Sequence, residues 1–367
     1  MVDNNPSTAE EYFNRANKYF ENGYIDNAIA DYGEAIRLKP DYVDAWYNRS
    51  DARSEKGDLD GTIEDLTEVI KLKSDKAPAW NNRGFAWGMK GEYDKAIADL
   101  TEAIRLEPDY SNAWNNRGNA WGEKGNLDKA IADYSEAIRL APNYADAWYN
   151  RGSTWKEKGE QDKALTDLNK TIRLKPDYAE AWNNRGNSWI EKNDIESAIS
   201  DYSEAIRLKP NLAEAWNNRG GAWSKKSEYD KAIADLDEAI RLEPSYANAW
   251  NSRGNAWRRK GNLDKAIADL NESIRLNSNF SGSWVNRGVV WFEKKEYDKA
   301  IKDLNEAIRL DSNCDASAWV FRGSSWGMKD EFDKALTDFD EAIRRNPNDQ
   351  SAIRARDMVL SLAPYAK

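Results

Sequence analysis

Residues 77–110 read A-P-A-W-N-N-R-G-F-A-W-G-M-K-G-E-Y-D-K-A-I-A-D-L-T-E-A-I-R-L-E-P-D-Y, and their spacing decides the fold. Trp80, Gly84 and Trp87 recur at i, i+4 and i+7. After a break at Gly91, the residues Ala96, Ile97, Leu100, Ala103 and Ile104 keep the same helical spacing. The stretch predicts two amphipathic helices joined by a tight turn, with Pro108 ending the second. The unit then repeats along the chain. Trp46, Trp80, Trp114, Trp148, Trp182, Trp216, Trp250 and Trp284 stand 34 residues apart, and Trp319 follows one residue late. A second comb, from Trp87 to Trp326, trails the first by seven, with Arg53 in its place in the second copy. A fixed period of this size means one supersecondary unit stacked many times. Function is then to be sought in the surface such a stack presents.

Trp80, Gly84, Trp87, Ala96, Leu100, Ala103 and Pro108 resemble the signature of the tetratricopeptide repeat, at that family's repeat length. With Trp80 at position four, the units run 9–42, 43–76, 77–110, 111–144, 145–178, 179–212, 213–246, 247–280, 281–315 and 316–349. Residues 1–8 form a short tail. The first copy carries Tyr12 and Tyr19 in place of the tryptophans, and the ninth has one extra residue near Asn313-Cys314-Asp315. Residues 350–367 hold Ile353, Met358, Val359, Leu360 and Leu362 among Arg354, Arg356 and Asp357. They read as a closing amphipathic helix with a wetted outer face, the cap a solenoid needs. The resemblance implies an all-α, right-handed superhelical solenoid of ten helical hairpins with a C-terminal capping helix.

Composition narrows the chemistry. The 367 residues contain no histidine, which removes the commonest general base and metal ligand. The one cysteine, Cys314, makes neither an internal disulfide nor a zinc cage, and a reducing compartment is the simplest setting. No run approaches the length of a membrane span, and residues 1–8 lack the apolar core of a signal peptide. The expected location is cytoplasmic. A formal charge of -10 disfavours general attraction to nucleic acid or anionic membrane.

A local basic stripe is the exception to that balance. Position seven is arginine in every repeat, and position 23 is aspartate in every repeat. In a hairpin that turns near positions 15 and 16, the two come level. Arg83 with Asp99, Arg117 with Asp133 and Arg185 with Asp201 are therefore candidate structural ion pairs, bidentate carboxylate pairing being the geometry that suits arginine. The alternative is a ligand-facing row of arginines that tracks a phosphate backbone. The tryptophans likewise read either as filling between helices or as an exposed stacking row. Their shared stripe with a close-approach glycine favours filling, with a free indole N–H edge.

What remains is the far side of the first helix. In proteins the chain resembles, first helices line the concave groove and these positions hold the ligand. Position six carries Asn48, Asn82, Asn116, Asn150, Asn184, Asn218 and Asn286, and position nine adds Asn119, Asn187 and Asn255. An amide offers a donor and an acceptor together, as an extended peptide backbone does, so an asparagine row can hold a peptide without reading its side chains. On that reading the bonds form mainly in the complex, and alanines there leave melting nearly unchanged. The competing reading makes the asparagines a soluble, neutral inner wall.

The carboxylate clamp of chaperone-binding relatives needs lysine at position five and basic residues at position two. Here position five is never lysine, and position two carries Asp44, Asp146, Glu180 and Glu214, so a neutral or basic partner fits better. Val285, Val289 and Phe292, with Val320 and Phe321, replace groove asparagines late in the chain, and Phe85 and Met89 do so in the third copy. Such apolar patches point to an anchor for a hydrophobic side chain or an amphipathic helix.

No nucleophile, base and oxyanion donor converge, so no catalytic residue, cofactor or metal is assigned. The sequence points to a non-enzymatic protein-interaction scaffold that binds an extended peptide or helix in the concave groove. The alternative is a self-assembling solenoid, a dimer or filament joined through its terminal repeats, with Phe13 and Phe20 exposed for the purpose.

Overall fold

A computed structural model of the chain describes residues 6–311 and 316–362. The insertion at Asn313-Cys314-Asp315 lies outside them. The chain divides into two compact units, Met1–Asp177 and Tyr178–Lys367, a division that the uniform period does not announce. The described residues form helices and no strand.

The first unit is five hairpins: α1 (Ala9–Glu21) with α2 (Ile25–Leu38), α3 (Val43–Glu55) with α4 (Leu59–Leu72), α5 (Ala77–Met89) with α6 (Tyr93–Leu106), α7 (Ser111–Glu123) with α8 (Leu127–Leu140), and α9 (Ala145–Glu157) with α10 (Gln161–Leu174). The second unit holds five more: α11 (Ala179–Glu191) with α12 (Ile195–Leu208), α13 (Ala213–Lys225) with α14 (Tyr229–Leu242), α15 (Ala247–Arg259) with α16 (Leu263–Leu276), α17 (Ser281–Glu293) with α18 (Tyr297–Leu310), and α19 (Ala316–Gly327) with α20 (Phe332–Arg345). It closes with α21 (Gln350–Leu362). Within each unit, successive first helices approach one another, α5 with α7 and α7 with α9 in the first unit, α13 with α15 and α15 with α17 in the second.

Each first helix is stopped by one residue in the left-handed region. Gly23, Gly57, Gly91, Gly125, Gly159 and Gly261 take it with φ between +75° and +88°, which costs glycine nothing. At the same position in other hairpins stand Asn193, Ser227, Lys295 and Asp330, with φ between 59° and 63°. An L side chain there is disfavoured by about 1–2 kcal/mol, less for asparagine and aspartate. Lys295→Gly is therefore expected to stabilise the second unit by about 1 kcal/mol, and Asn193→Gly by less. Thermal melts of the two variants against the native chain check the order.

The buried stripe differs from the expected one. The residues of the first helix that are fully covered are small: Ala79, Gly84 and Ala86 in α5, and Ala113, Gly118 and Ala120 in α7. They close on the large residue of the second helix, Leu100 or Tyr134. A Cβ on Gly118 would stand 2.6 Å from a Tyr134 ring carbon, and one on Gly84 would stand 2.7 Å from Leu100 Cγ, so the packing itself demands these glycines. The indoles fill the space beside this seam: Trp80, Trp87 and Trp114 pack against the cluster of Ala96, Leu100 and Ala120, and Trp80 also against the cluster of Leu66 and Val69 in the preceding hairpin.

The tryptophans are accordingly half-buried at the edge of the hairpin. Seven of their N–H edges are not free: Nε1 of Trp46, Trp80, Trp114, Trp148, Trp216, Trp250 and Trp284 donates to the carbonyl six residues earlier at 2.9–3.0 Å. The first copy also departs from expectation. Phe13 and Phe20 are not exposed; they pack against Ala16, Ala28 and Tyr32. At the other end, α21 buries Ala352 and Val359 against α20, but its outer face leaves Met358, Leu360 and Leu362 exposed instead of wetted by polar groups alone.

Candidate functional site

The arginine row is consumed by the fold. Nε and Nη2 of all ten position-seven arginines donate in bidentate fashion to the aspartate of their own hairpin at 2.5–2.9 Å. Arg83 with Asp99, Arg117 with Asp133 and Arg185 with Asp201 are among them, and these three carboxylates are 3–7% exposed. Each guanidinium also lies over the position-four indole, 4.6–5.0 Å from its centre from Trp46 onward, a favourable cation–π placement.

The third donor reaches the preceding hairpin. Nη1 of Arg83, Arg117, Arg151, Arg219, Arg253, Arg287 and Arg322 bonds Thr67, Thr101, Ser135, Ser203, Asp237, Asn271 and Asn305 at 2.6–3.2 Å. The closing helix continues the pattern, Arg356 Nε meeting Asp340 at 2.5 Å. Burial pushes the Asp201 carboxyl above its ordinary range, outweighing the bonds and charge of Arg185 that pull it down, so desolvation is a real cost of the pair. With one side on its aspartate, one face on an indole and the remaining amino group on the previous repeat, the row is not placed to track phosphates.

The asparagine ladder is also largely spent within the chain. Asn116 Nδ2 donates to Asn81 Oδ1 at 3.1 Å, and Asn150 Nδ2 to both Asn115 and Asn119 at 3.0 Å. Asn218 Nδ2 does the same with Asn183 and Asn187 at 3.1 Å. Asn286 donates to Asn251 at 2.9 Å, Asn48 to Asn17 and Asn82 to the Tyr47 hydroxyl at 3.0 Å. Asn119 and Asn187 accept in addition from Tyr134 and Tyr202, and Asn255 accepts from Arg258. Asn184 is half-buried on α11. The position-five asparagines Asn81, Asn115 and Asn183 are only 2–5% exposed and lie in the seam between repeats. The buried position-five amides are paired by the neighbouring repeat, as burial requires, and the half-buried position-six amides that donate to them are not held wholly in reserve for a ligand.

The apolar patch of the second unit is also partly covered. Val289 is 5% exposed, and Val285 and Phe292 pack with Phe321 onto Ala300, Leu304 and Ala318. The Phe292 ring lies 5.5 Å from Phe321 and 5.8 Å from Tyr297. Apolar side chains in consecutive repeats pack on one another, so Val289 is covered and Val285 and Phe292 are half-buried.

Phe85 and Met89 behave differently. They are 47% and 62% exposed on α5 and border a recess of about 840 Å³ that runs from α5 across α7 to α9. Gly88, Gly122 and Ala120 line it, Asn116, Asn119 and Asn150 stand along it, and Glu123 and Glu157 belong to its lining. Burial pushes the Tyr134 hydroxyl up, leaving it a neutral donor beneath the recess. Gly88 and Gly122 each cost their helix about 1 kcal/mol relative to alanine.

On the same face, Asp51 of α3 faces Asn82 at 3.5 Å, with Lys76 and the Tyr47 hydroxyl nearby. Burial outweighs both the Lys76 charge and the Asn82 bond and pushes Asp51 up to about 6. The folded chain thus holds this proton more tightly than the unfolded one. Asp51 therefore destabilises the fold above about pH 6, and this cost fades as the pH falls toward 4. Asp51→Asn is expected to gain about 1–2 kcal/mol at pH 7.5, after allowance for partial exposure, and almost nothing at pH 4. Denaturation midpoints at the two pH values check it.

Among the described residues, no group of three or more histidine, cysteine, aspartate or glutamate side chains could hold a metal, and no helix is long and apolar enough to cross a membrane.

Family models of the tetratricopeptide repeat match residues 77–110, 111–144 and 282–314, residues 224–279, and residues 43–76; a further TPR repeat model matches 16–53, 152–189 and 186–226. The chain is similar to the crystal structure of MamA, with 25% identity over 46% of this chain and 92% of that one and a TM-score of 0.41. It is similar to that of YrrB, described as a TPR protein with an unusual peptide-binding site, with 23% identity, coverage of 50% and 95% and a TM-score of 0.43. Yeast Tom70 matches along 97% of this chain and 96% of its own, at 15% identity and a TM-score of 0.47. A comparison with curated proteins gives no match.

Proposed function

The chain belongs to the tetratricopeptide repeat family, and from that premise we propose that it is a non-enzymatic scaffold that binds an extended peptide or helix of a protein partner along the face of its first helices. The observation that carries this reading is the exposure of Phe85 and Met89 beside an open recess on that face. Large apolar side chains held open by a helical scaffold mark contact surfaces. The spent arginine row argues against a nucleic-acid track. The acidic balance of the chain favours a neutral or basic partner over an acidic one.

Display selection of short random peptides on the full chain tests the reading. Selected peptides are expected to lose about tenfold or more in affinity for a Phe85→Glu, Met89→Glu variant, the loss of one buried apolar anchor. Binders indifferent to every substitution on the first-helix face would refute it. A second reading, self-association through the chain's end, is favoured by Met358, Leu360 and Leu362 on α21. Light scattering that shows a dimer abolished by Met358→Glu would support that one instead.

A further inference from the structure

We propose that the recess between α5, α7 and α9 receives one large apolar side chain, aromatic or long aliphatic, presented by a protein partner and flanked there by lysine or arginine; this rests on the reading that the first-helix face binds peptides. Position twelve of the first helix is Phe20, Ser54, Lys156, Ile190, Ser224, Arg258 or Phe292 in seven hairpins and Gly327 in the tenth, where Val359 of α21 lies 3.5 Å from the place of a Cβ. In α5 and α7 it is Gly88 and Gly122. Nothing in the packing demands these two glycines. A Cβ on Gly88 would approach only Ala96 Cβ, at 3.9 Å, and one on Gly122 would meet the Tyr134 hydroxyl at 3.7 Å and Ala130 at 4.0 Å, all ordinary contacts. Gly84 and Gly118, one turn earlier, have no such freedom. Two consecutive helices thus bear the conformational cost of an interior glycine for no gain in the free chain, and the result is the recess.

The chemistry of the walls names the occupant. Phe85 and Met89 supply exposed apolar surface, and Ala96 and Ala120 an apolar floor. Asn116, Asn119, Asn150 and Thr154 give the recess a polar edge, and the Tyr134 hydroxyl is already committed to Asn119. Pockets of about 300–1,000 Å³ lined in this way suit a bulky apolar group. Glu123 and Glu157 stand beside it, and the neighbouring Lys124 and Lys158 are held by Asp94 and Asp128 of the preceding hairpin. Among the described residues, Glu123 accepts only from the neutral Tyr93 hydroxyl, at 3.4 Å, so the negative charge remains to attract a cation of the partner.

The probe is a fluorescein-labelled peptide with one tryptophan between two lysines in a glycine–serine background, followed by anisotropy. Matched peptides carry alanine for the tryptophan or glutamate for the lysines. The first peptide is expected to bind the full chain at least about tenfold more tightly than either control. Gly88→Leu with Gly122→Leu, which fills the recess without lowering the melting temperature, is expected to abolish the tryptophan preference. Glu123→Gln with Glu157→Gln is expected to abolish the lysine preference and keep the tryptophan preference. Equal binding of the probe to native and recess-filled chains overturns the proposal. If display-selected peptides then still bind the first-helix face, that reading survives without the recess; if none binds, both fall. A dimer of the native chain that dissociates on filling the recess also overturns it, in favour of a second copy as occupant.

Discussion

Asp201→Ala is expected to destabilise the second unit by about 3–5 kcal/mol, the cost of leaving one member of a buried ion pair alone. The carboxylate receives both Nε and Nη2 of Arg185, at 2.7 and 2.6 Å, and is 3% exposed. Removing it takes both of those bonds from a guanidinium that is itself mostly covered, with a side-chain exposure of 17%. Because the pair carries a desolvation cost that disappears with both charges, the double variant Arg185→Leu, Asp201→Ala is expected to recover a large part of the loss. Urea denaturation of the two single variants, the double variant and the native chain forms the cycle. Additive losses would show that the residues do not act as a pair.

The second large effect concerns the ladder. Asn116→Ala with Asn150→Ala is expected to cost the first unit about 2–3 kcal/mol, at about 1 kcal/mol for each hydrogen bond lost in the seam. Three bonds disappear, to Asn81, Asn115 and Asn119, and two of the acceptors left behind, on Asn81 and Asn115, belong to buried residues. Asn112→Ala, at an exposed position of the same helix, serves as the control and should change the melting temperature by little. If the double variant melts with the control, the ladder contributes nothing to the fold and is again available to a ligand.

The first of these effects was legible in the sequence and the second was not. The hairpin, its length and its repeats were legible because the period is written ten times over. The Arg–Asp pairing was legible because two positions never vary among the internal copies and hairpin geometry brings them level. The third arginine bond had a signal, the row of small polar residues Thr67, Thr101, Ser135 and Ser203, but its partner lies in another repeat, outside the single-hairpin geometry that revealed Asp99.

The tryptophans do pack on the core, but half-buried, because the fully covered stripe is turned by a small rotation about the helix. A stripe through Trp80, Gly84 and Trp87 and one through Ala79, Gly84 and Ala86 are close in angle, and hydrophobicity favours the first while the steric demand of Leu100 on Gly84 selects the second. The asparagines posed a different difficulty. An amide's type says that it will be paired, but whether with a ligand or with the next repeat depends on the separation of adjacent first helices, which no single repeat encodes. Val289 and Phe292 posed the same difficulty, since each other's neighbours fill part of the space they were expected to leave open.

Photo-crosslinking tests the central claim most directly. A peptide selected on the full chain, carrying a photo-reactive phenylalanine, is irradiated in the complex and the attached residues are mapped by mass spectrometry. The account predicts attachment on the first helices, centred on α5, α7 and α9 near Phe85, Met89 and Glu123. Attachment confined to α6, α8 and α10, or to α21, would contradict it.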